Sequence, residues 1–255
     1  MLAVVFGIGV HAADITGDEI IRGAVDSDRH QEVLRQQYLY REHQENGPAA
    51  ADGSHLKVRV DRDFEVIFLE GGFYRKMVAV DGKPLKPKQA REEEEKLRMT
   101  AAERKTKHLN PKFRHTGVPL SAILSVMDHK LLREDEIDGR KCWVVQSEPK
   151  PGAAAQTPYE TQALSYRYIH WIDERDQAVA RIEWEVVKAG VETKPGSTVK
   201  VTFAKNGEGV WLARKAEFFS INGDKLGGNR FFQTNVYSDY RKFTAETNIE
   251  FEDKP

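Results

Sequence analysis

The feature that most constrains the fold is a long alternation of apolar and charged residues in the first third of the chain. Between Leu56 and Phe68, apolar side chains occupy every second position except Arg62, and charged side chains fill most of the positions between them. Residues two apart share one face of a β-strand, so this pattern predicts a long strand with one buried face.

Glycine-containing dipeptides predict how such strands are connected. Each lies between strand-like segments and supplies the positive φ that tight hairpin turns require: Gly71-Gly72, Asp81-Gly82, Asp138-Gly139, Asn206-Gly207 and Asn222-Gly223. Further strand patterns lie at residues 164–172, 180–186, 199–203, 210–219 and 231–240. We expect a mainly β protein built on an antiparallel meander, and a sheet of this many strands has to curl or close.

Helical patterns precede and interrupt the strands. Thr16 and Glu19 match a capping box, and the apolar positions that follow lie on roughly one face, which predicts an N-terminal helix packed on the sheet. An insertion over residues 86–130 begins with a highly charged helix, which we expect to be an exposed arm. The basic residues of this helix are compatible either with a weak contact to anionic lipid or with a simple solvated face. Residues 118–130 then carry Leu120, Ile123, Leu124 and Met127 at helical spacing.

The start of the chain resembles the end of a secretory signal. An apolar segment runs from Leu2 to Val10 and is followed by small residues at Ala12 and Ala13, but a charged segment before it is missing. The alternative is a buried N-terminal strand. We expect residues 1–13 to be a leader that is removed, and residues 14–255 to form one exported, periplasmic domain.

Composition narrows the classes of partner and chemistry. The formal net charge of -1 provides no global field for nucleic acid. Cys142 is the only cysteine, so a disulfide within the chain, a cysteine metal site and a lipid anchor just after the leader are not expected. The chain lacks the HExxH, GxSxG and GxxxxGK[ST] motifs, its histidines are scattered, and His170 is expected to be a hydrogen-bonded core residue. We therefore expect no catalytic residues, no metal and no cofactor.

Segments of the second half resemble a known family. They are Ile137-Asp138-Gly139-Arg140, Trp171-Ile172-Asp173 with the following Ala180-Arg181-Ile182, and Tyr237-Ser238-Asp239-Tyr240. These segments are similar to turn and packing patterns of the outer-membrane lipoprotein-sorting proteins, which are the periplasmic lipoprotein carrier, its outer-membrane receptor and their relatives. The resemblance implies an incomplete antiparallel β-barrel around a hydrophobic cavity, covered by a helical lid, that shields acyl chains.

The function that follows is a monomeric periplasmic carrier for a lipid or for lipoprotein acyl chains. The alternative is a regulatory or scaffold protein that uses the same fold to bind an envelope protein or lipid; an enzyme is the third class. The predicted cavity and lid residues are Leu120, Ile123, Leu124, Met127, Trp143, Tyr166, Tyr168, Ile182, Trp184, Val60, Arg62 and Phe64. An apolar stripe does not distinguish a lid over residues 118–130 from a helix that closes an ordinary core.

Arg62 carries a separate prediction. It shares a strand face with Val60 and Phe64 if the alternation is unbroken, and a buried guanidinium needs partners for its donors. The alternative is a β-bulge at residues 61–63 that turns Arg62 into water.

Overall fold

A computed structural model describes residues 15–70, 72–107, 118–188, 194–222 and 229–243. The predicted leader lies outside these residues. Within them, one antiparallel sheet holds eleven strands. The strands are β1 (Tyr38–Pro48), β2 (Val60–Leu69), β3 (Gly72–Val80), β4 (Lys83–Pro84), β5 (Met127–Ile137), β6 (Arg140–Pro149), β7 (Tyr166–Asp173), β8 (Val179–Val186), β9 (Thr198–Lys205), β10 (Trp211–Ile221) and β11 (Arg230–Lys242).

The mainly β class and the curled, unclosed sheet are confirmed. The strand order is β4-β3-β2-β1-β11-β10-β9-β8-β7-β6-β5, so two meanders meet where β1 pairs with β11. The expected antiparallel meander is therefore present in two parts, joined by the first and last strands. Strands β4 and β5 lie at the two edges of the sheet, and the barrel therefore stays open.

Two of the predicted hairpin turns have the expected backbone. Asp81 and Gly82 have φ of 51° and 67°, and Asp138 and Gly139 have φ of 49° and 75°. Positive φ at both central positions matches the right-handed twist of the strands on either side. Between β9 and β10 the positive φ is at Gly209, two positions later than predicted, because the turn is longer. Gly71 and Gly223 lie outside the described residues.

The N-terminal helix, α1 (Gly17–Arg35), is confirmed together with its capping box. Thr16 Oγ1 accepts from the Glu19 amide, and Glu19 accepts from the Thr16 amide at 2.8 Å. A Cβ at Gly17 would lie 2.6 Å from the carbonyl oxygen of His129. The start of α1 therefore lies directly against the β5 backbone, which only glycine permits without a shift of one element.

The charged helix, α2 (Pro87–Lys107), is docked and not an exposed arm. Leu97 and Ala101, four residues apart, are 1% and 4% exposed and pack with Leu69 of β2. Arg104 donates to the carbonyl oxygens of Leu69 and Gly72 at 2.7 and 2.9 Å. The prediction of an exposed arm was wrong because the apolar stripe of α2 is short, and because the Arg104 hydrogen bonds that help to hold the helix cannot be read from composition.

The helix predicted over residues 118–130 is wrong in extent. Leu120–Ile123 form a single 3-10 helix, and strand β5 begins at Met127. Met127 and Leu131 satisfy a period of two as well as helical spacing, and the pairing of Met127 with Pro149 and of Leu131 with Val145 extends the sheet by a strand. A short helix, α3 (Pro158–Ala163), lies between β6 and β7 and contacts the 3-10 helix.

Asp173, the last residue of the Trp171-Ile172-Asp173 motif, holds the turn after β7. Asp173 is 1% exposed, and its carboxylate accepts hydrogen bonds from Arg140 Nε at 2.6 Å and from Arg140 Nη2 at 2.8 Å. It also accepts from the backbone amides of Arg175 and Asp176. The motif that carries the family resemblance is thus a structural clamp between the β5–β6 and β7–β8 turns.

Candidate functional site

One face of the sheet carries α1, and we call it the α1 face. Ile20 and Ile21 of α1 belong to one buried cluster with Val145 and Ile172 of the sheet. Residues directly opposite each other in an antiparallel pair point to the same side. The register therefore assigns two rows to the α1 face: Ser147, Tyr168, Trp184, Val199, Phe218, Gln233, Asn46 and Val60, and beside them Val145, His170, Ile182, Val201, Ala216, Asn235, Gln44 and Arg62.

Most of the residues predicted for the ligand site meet in the cluster under α1. Its buried members include Leu120, Ile123, Met127 and Tyr168, and its half-buried members include Leu124, Trp143, Tyr166, Ile182 and Trp184. The helix that covers them is α1, with Ile20, Ile21, Ala24 and Val25 facing the sheet. The predicted convergence is therefore observed, while the main covering element is α1 and not the segment over residues 118–130.

Aromatic rings continue the cluster along the sheet. The rings of Tyr166 and Tyr168 are 5.8 Å apart, and those of Tyr168 and Trp184 are 6.3 Å apart. Tyr168 is buried, whereas Tyr166 and Trp184 are only half-buried. A row of rings that passes from a dry core to a partly open surface provides a continuous apolar path along the α1 face.

Four polar atoms of this region are buried without a hydrogen-bond partner among the described residues. They are Nε2 of His129, Oη of Tyr168, and both ring nitrogens of His170. His129 Nδ1 does contact Ser147 Oγ at 2.8 Å. The burial predicted for His170 is observed; the Val145 backbone lies close enough to favour the protonated ring, although neither ring nitrogen has a partner at full hydrogen-bond geometry within the described part of the chain. Each unpaired buried group costs about 1–3 kcal/mol.

Burial also keeps these two histidines neutral. Burial, together with the smaller effect of the nearby His129, lowers the pKa of His170 to about 3. Burial likewise lowers the pKa of His129 below its usual value. The two rings therefore present neutral donor and acceptor groups at pH 7, and no fixed charge.

Val60, Arg62 and Phe64 lie on the α1 face but outside the cluster, on β2. Arg62 is exposed. The bulge proposed for residues 61–63 is wrong for β2, because the β1–β2 register is unbroken from Tyr40–Val66 to Asn46–Val60, and the β2–β3 register shift between Asp63 and Phe64 leaves the extra residue, Val78, on β3. Arg62 reaches water because α1 packs on β5, β6 and β10 and leaves this end of the face open.

Glu42 and Arg75 form an ion pair on this open part, which the sequence did not reveal. Glu42 is 4% exposed and accepts from Arg75 Nε at 2.9 Å and Arg75 Nη2 at 2.8 Å. The guanidinium carbon lies 4.1 Å from the centroid of the Phe64 ring. Burial raises the pKa of Glu42, and Arg75 opposes this shift only in part.

Amide side chains occupy the middle of the α1 face, on β1 and β11. Gln44 and Asn235 are buried, and Gln44 Nε2 donates to Asn235 Oδ1 at 3.4 Å. Gln233 Nε2 donates to the same oxygen at 3.1 Å. The face thus has an apolar part on β5–β10 and a group of polar side chains on β11 and β1, next to Arg62, which lies between the apolar Val60 and Phe64 of β2.

The opposite face holds a cavity of about 580 Å³ beneath the β1–β2 connection. Its lining includes the aromatic rings of His55, Phe219 and Phe232, and the His55 ring stacks on Phe232 with centroids 3.6 Å apart. Charged side chains also line it, among them Arg167 and Glu185, which form an ion pair at 2.6 Å. Trp184, which was predicted for the ligand site, also lines this cavity, but the cavity itself was not predicted from the sequence.

Among the described residues, no helix is long and apolar enough to cross a membrane. No protein-family model matches the sequence, and no curated protein matches it.

Several solved structures show similarity to this chain over most of its length. An outer membrane lipoprotein-sorting protein domain from Vibrio parahaemolyticus has a TM-score of 0.40 and 9% identity, covering 88% of this chain and 94% of that one. A DUF1329 family protein from Desulfovibrio piger has a TM-score of 0.36 and 12% identity, with coverages of 88% and 94%. A LolA superfamily protein from Nitrosomonas europaea has a TM-score of 0.35 and 10% identity, with coverages of 92% and 98%.

The first and third of these structures bear the name of the family that the sequence resembles. All three TM-scores lie below 0.5 and all three identities below 25%. What this chain binds therefore has to be argued from its own residues.

Proposed function

We propose that this protein is a periplasmic carrier that binds an amphipathic ligand with an acyl chain on the α1 face, without catalysing a reaction. The observation that carries the proposal is the division of this face. The apolar cluster continues through the half-buried Tyr166, Ile182 and Trp184 toward amide groups at Gln44 and Asn235. An acyl chain matches the first part and a polar head matches the second.

In the proposed mechanism, α1 moves to admit the chain. The cluster under α1 is closely packed, with Ile21, Met127 and Ile172 each 0% exposed. The four unpaired polar atoms beneath it raise the free energy of this closed arrangement, which lowers the additional cost of opening. The sheet, with its continuous hydrogen-bonded ladder, provides the fixed wall.

The side chains of α1 that reach the sheet ends define how the helix is held. Gln31 Nε2 donates to the carbonyl oxygen of Gly209 at 3.4 Å, and Gln31 Oε1 accepts from the Trp211 amide at 2.8 Å. Ser27 Oγ donates to the carbonyl oxygen of Asp176 at 3.0 Å. These contacts lie toward the C-terminal end of α1, so its N-terminal half, beside Gly17 and β5, is the part proposed to move.

Titration with a fluorescent fatty-acid analogue tests the proposal. We expect saturable binding by the wild-type chain, at least tenfold weaker binding by Tyr166→Ala, and unchanged binding by Phe219→Ala. Tyr166 is half-buried on the α1 face, whereas Phe219 lines the cavity on the opposite face. The reverse pattern would place binding in the opposite cavity, and a wild-type chain that binds no hydrophobic probe would contradict the carrier proposal.

A further inference from the structure

A second cluster of polar side chains lies on the face opposite α1, between β1 and β2. His43 pairs directly with Asp63, and Glu45 pairs directly with Asp61, so the four side chains form a square on two neighbouring strands. Side chains two apart on one strand share a face, and direct cross-strand partners do so as well. This square is independent of the ligand site proposed for the α1 face.

The distances within the square suit metal coordination. His43 Nε2 lies 3.7 Å from Glu45 Oε1, and His43 Nδ1 lies 3.7 Å from Asp61 Oδ1. The donor atoms of His43, Glu45 and Asp61 all lie within 4.8 Å of one another. Nitrogen and oxygen ligands about 2.1 Å from a common ion are separated by roughly 3–4 Å. The Glu45 carboxylate already meets this separation from Nε2, whereas binding through Nε2 requires the Asp61 carboxylate to move from the Nδ1 side toward that nitrogen.

Asp63 fixes the orientation of the imidazole. Its Oδ1 lies 2.8 Å from His43 Nδ1. An ionised carboxylate only accepts hydrogen bonds, so this contact favours a proton on Nδ1 and leaves Nε2 as the unprotonated nitrogen of the neutral ring. A carboxylate in this position beside a metal-bound histidine orients the ring and increases its basicity.

The charges of the cluster are unbalanced. Among the described residues, His43 is the only basic side chain that forms an ion pair with Glu45, Asp61 or Asp63. Asp61 Oδ1 is fully buried and has no hydrogen-bond partner in that part of the chain, although the Asp61 side chain as a whole is 27% exposed. A buried carboxylate oxygen without a donor is unfavourable unless a cation reaches it.

We propose that His43, Glu45 and Asp61 bind a divalent transition-metal ion such as Zn²⁺, with Asp63 as the residue that positions the imidazole. The imidazole selects this class of ion over Mg²⁺ and Ca²⁺, which prefer oxygen ligands alone. Bound metal would connect β1 to β2 and neutralise the facing carboxylates. The proposed role of the metal is structural, because an ion that binds the folded chain and not the unfolded chain stabilises the folded state.

Isothermal titration of the untagged, metal-free full chain with Zn²⁺ at pH 7.5 tests the site. We expect one ion per chain at this site, with at least tenfold weaker affinity in His43→Gln and in Asp61→Asn, and a 10- to 100-fold loss in Asp63→Asn, the range typical of residues that orient a ligand. His30→Gln is the matched control, because His30 is an exposed histidine on α1. It should bind as the wild type does, and excess Mg²⁺ should not compete.

Thermal unfolding separates loss of ligands from loss of fold. With EDTA, His43→Gln and Asp61→Asn should unfold near the wild-type temperature, and added Zn²⁺ should raise the Tm of the wild type more than that of either variant. Co²⁺ provides a spectroscopic check, because its visible absorption in the wild type should be reduced in His43→Gln. Wild-type chain that binds no Zn²⁺ at 1 mM, or a folded His43→Gln variant with wild-type affinity, overturns the proposal.

Discussion

Replacement of Ile123 by alanine tests whether the side chains beneath α1 form a closed core in the ligand-free chain. Ile123 is 1% exposed and packs in one cluster with α1 and β5–β7. Loss of three carbon atoms removes about 2.4 kcal/mol of burial energy at ~0.8 kcal/mol each. The cavity left behind adds about 24 cal/mol per Å³ that does not collapse. We therefore expect Ile123→Ala to lower the free energy of unfolding by about 3–4 kcal/mol.

Urea unfolding followed by tryptophan fluorescence measures this loss. Val33→Ala is the control on α1, because Val33 is 60% exposed and its replacement should change stability by no more than ~0.5 kcal/mol. A loss below about 1 kcal/mol in Ile123→Ala would refute the packed arrangement. It would instead describe a residue that covers an open cavity, where truncation removes few contacts.

Four further predictions concern other parts of the fold. Arg75→Met should destabilise the chain by about 2–3 kcal/mol at pH 7, because it leaves the buried Glu42 carboxylate unpaired. The loss should become smaller as the pH is lowered, because burial raises the pKa of Glu42 and so favours its protonated form; urea unfolding at pH 7 and pH 5 measures this, and an equal loss at both would contradict it. His170 has a pKa of about 3 in the folded chain and near 6.5 in the unfolded chain, so the folded state loses stability as the pH falls below 6.5. Between pH 6 and 4.5 the free energy of unfolding of the wild type should fall by about 2 kcal/mol more than that of His170→Phe; equal losses would show that the ring is accessible. Asp173→Asn should lower the free energy of unfolding, measured by chemical denaturation, by about 2–4 kcal/mol, because Arg140 loses its charged partner. Asp138 at the neighbouring turn is exposed, so Asp138→Asn should change the free energy of unfolding by no more than ~0.5 kcal/mol. Gly17→Ala should lower the Tm although alanine favours helices, because its Cβ would meet the His129 carbonyl; an increased Tm would mean that α1 is not held against β5.

The regular strands were predictable because their signals are local. Alternation and turn dipeptides located β2 and β7 to β11, and the Thr16–Glu19 capping box located the start of α1. The pairing of β1 with β11 was not predictable, because Tyr38–Pro48 is rich in polar residues and carries no alternating apolar face. Its stability comes from two long neighbours, and that contribution depends on contacts far apart in the sequence.

Burial in the candidate site was predicted more accurately than secondary structure. Leu120, Ile123 and Met127 are buried as expected, but a stripe at helical spacing also satisfied strand spacing from Met127 onward. Pairing with β6 makes this segment a strand and not a helix, and no local sequence pattern encodes that pairing. Glu42 with Arg75, the amide group around Asn235 and the His43 square all arise from register between strands, and register is fixed only in the folded sheet.

The most direct test of the carrier proposal is native mass spectrometry of the protein purified from the envelope of its own host. The proposed function predicts a fraction of the chain with added mass that organic extraction releases as an acyl-containing molecule, and a smaller fraction in Tyr166→Ala than in Phe219→Ala. Wild-type protein that carries no such molecule, binds no fatty-acid analogue afterwards and co-purifies in stoichiometric amount with a protein partner would contradict the carrier proposal and favour a scaffold.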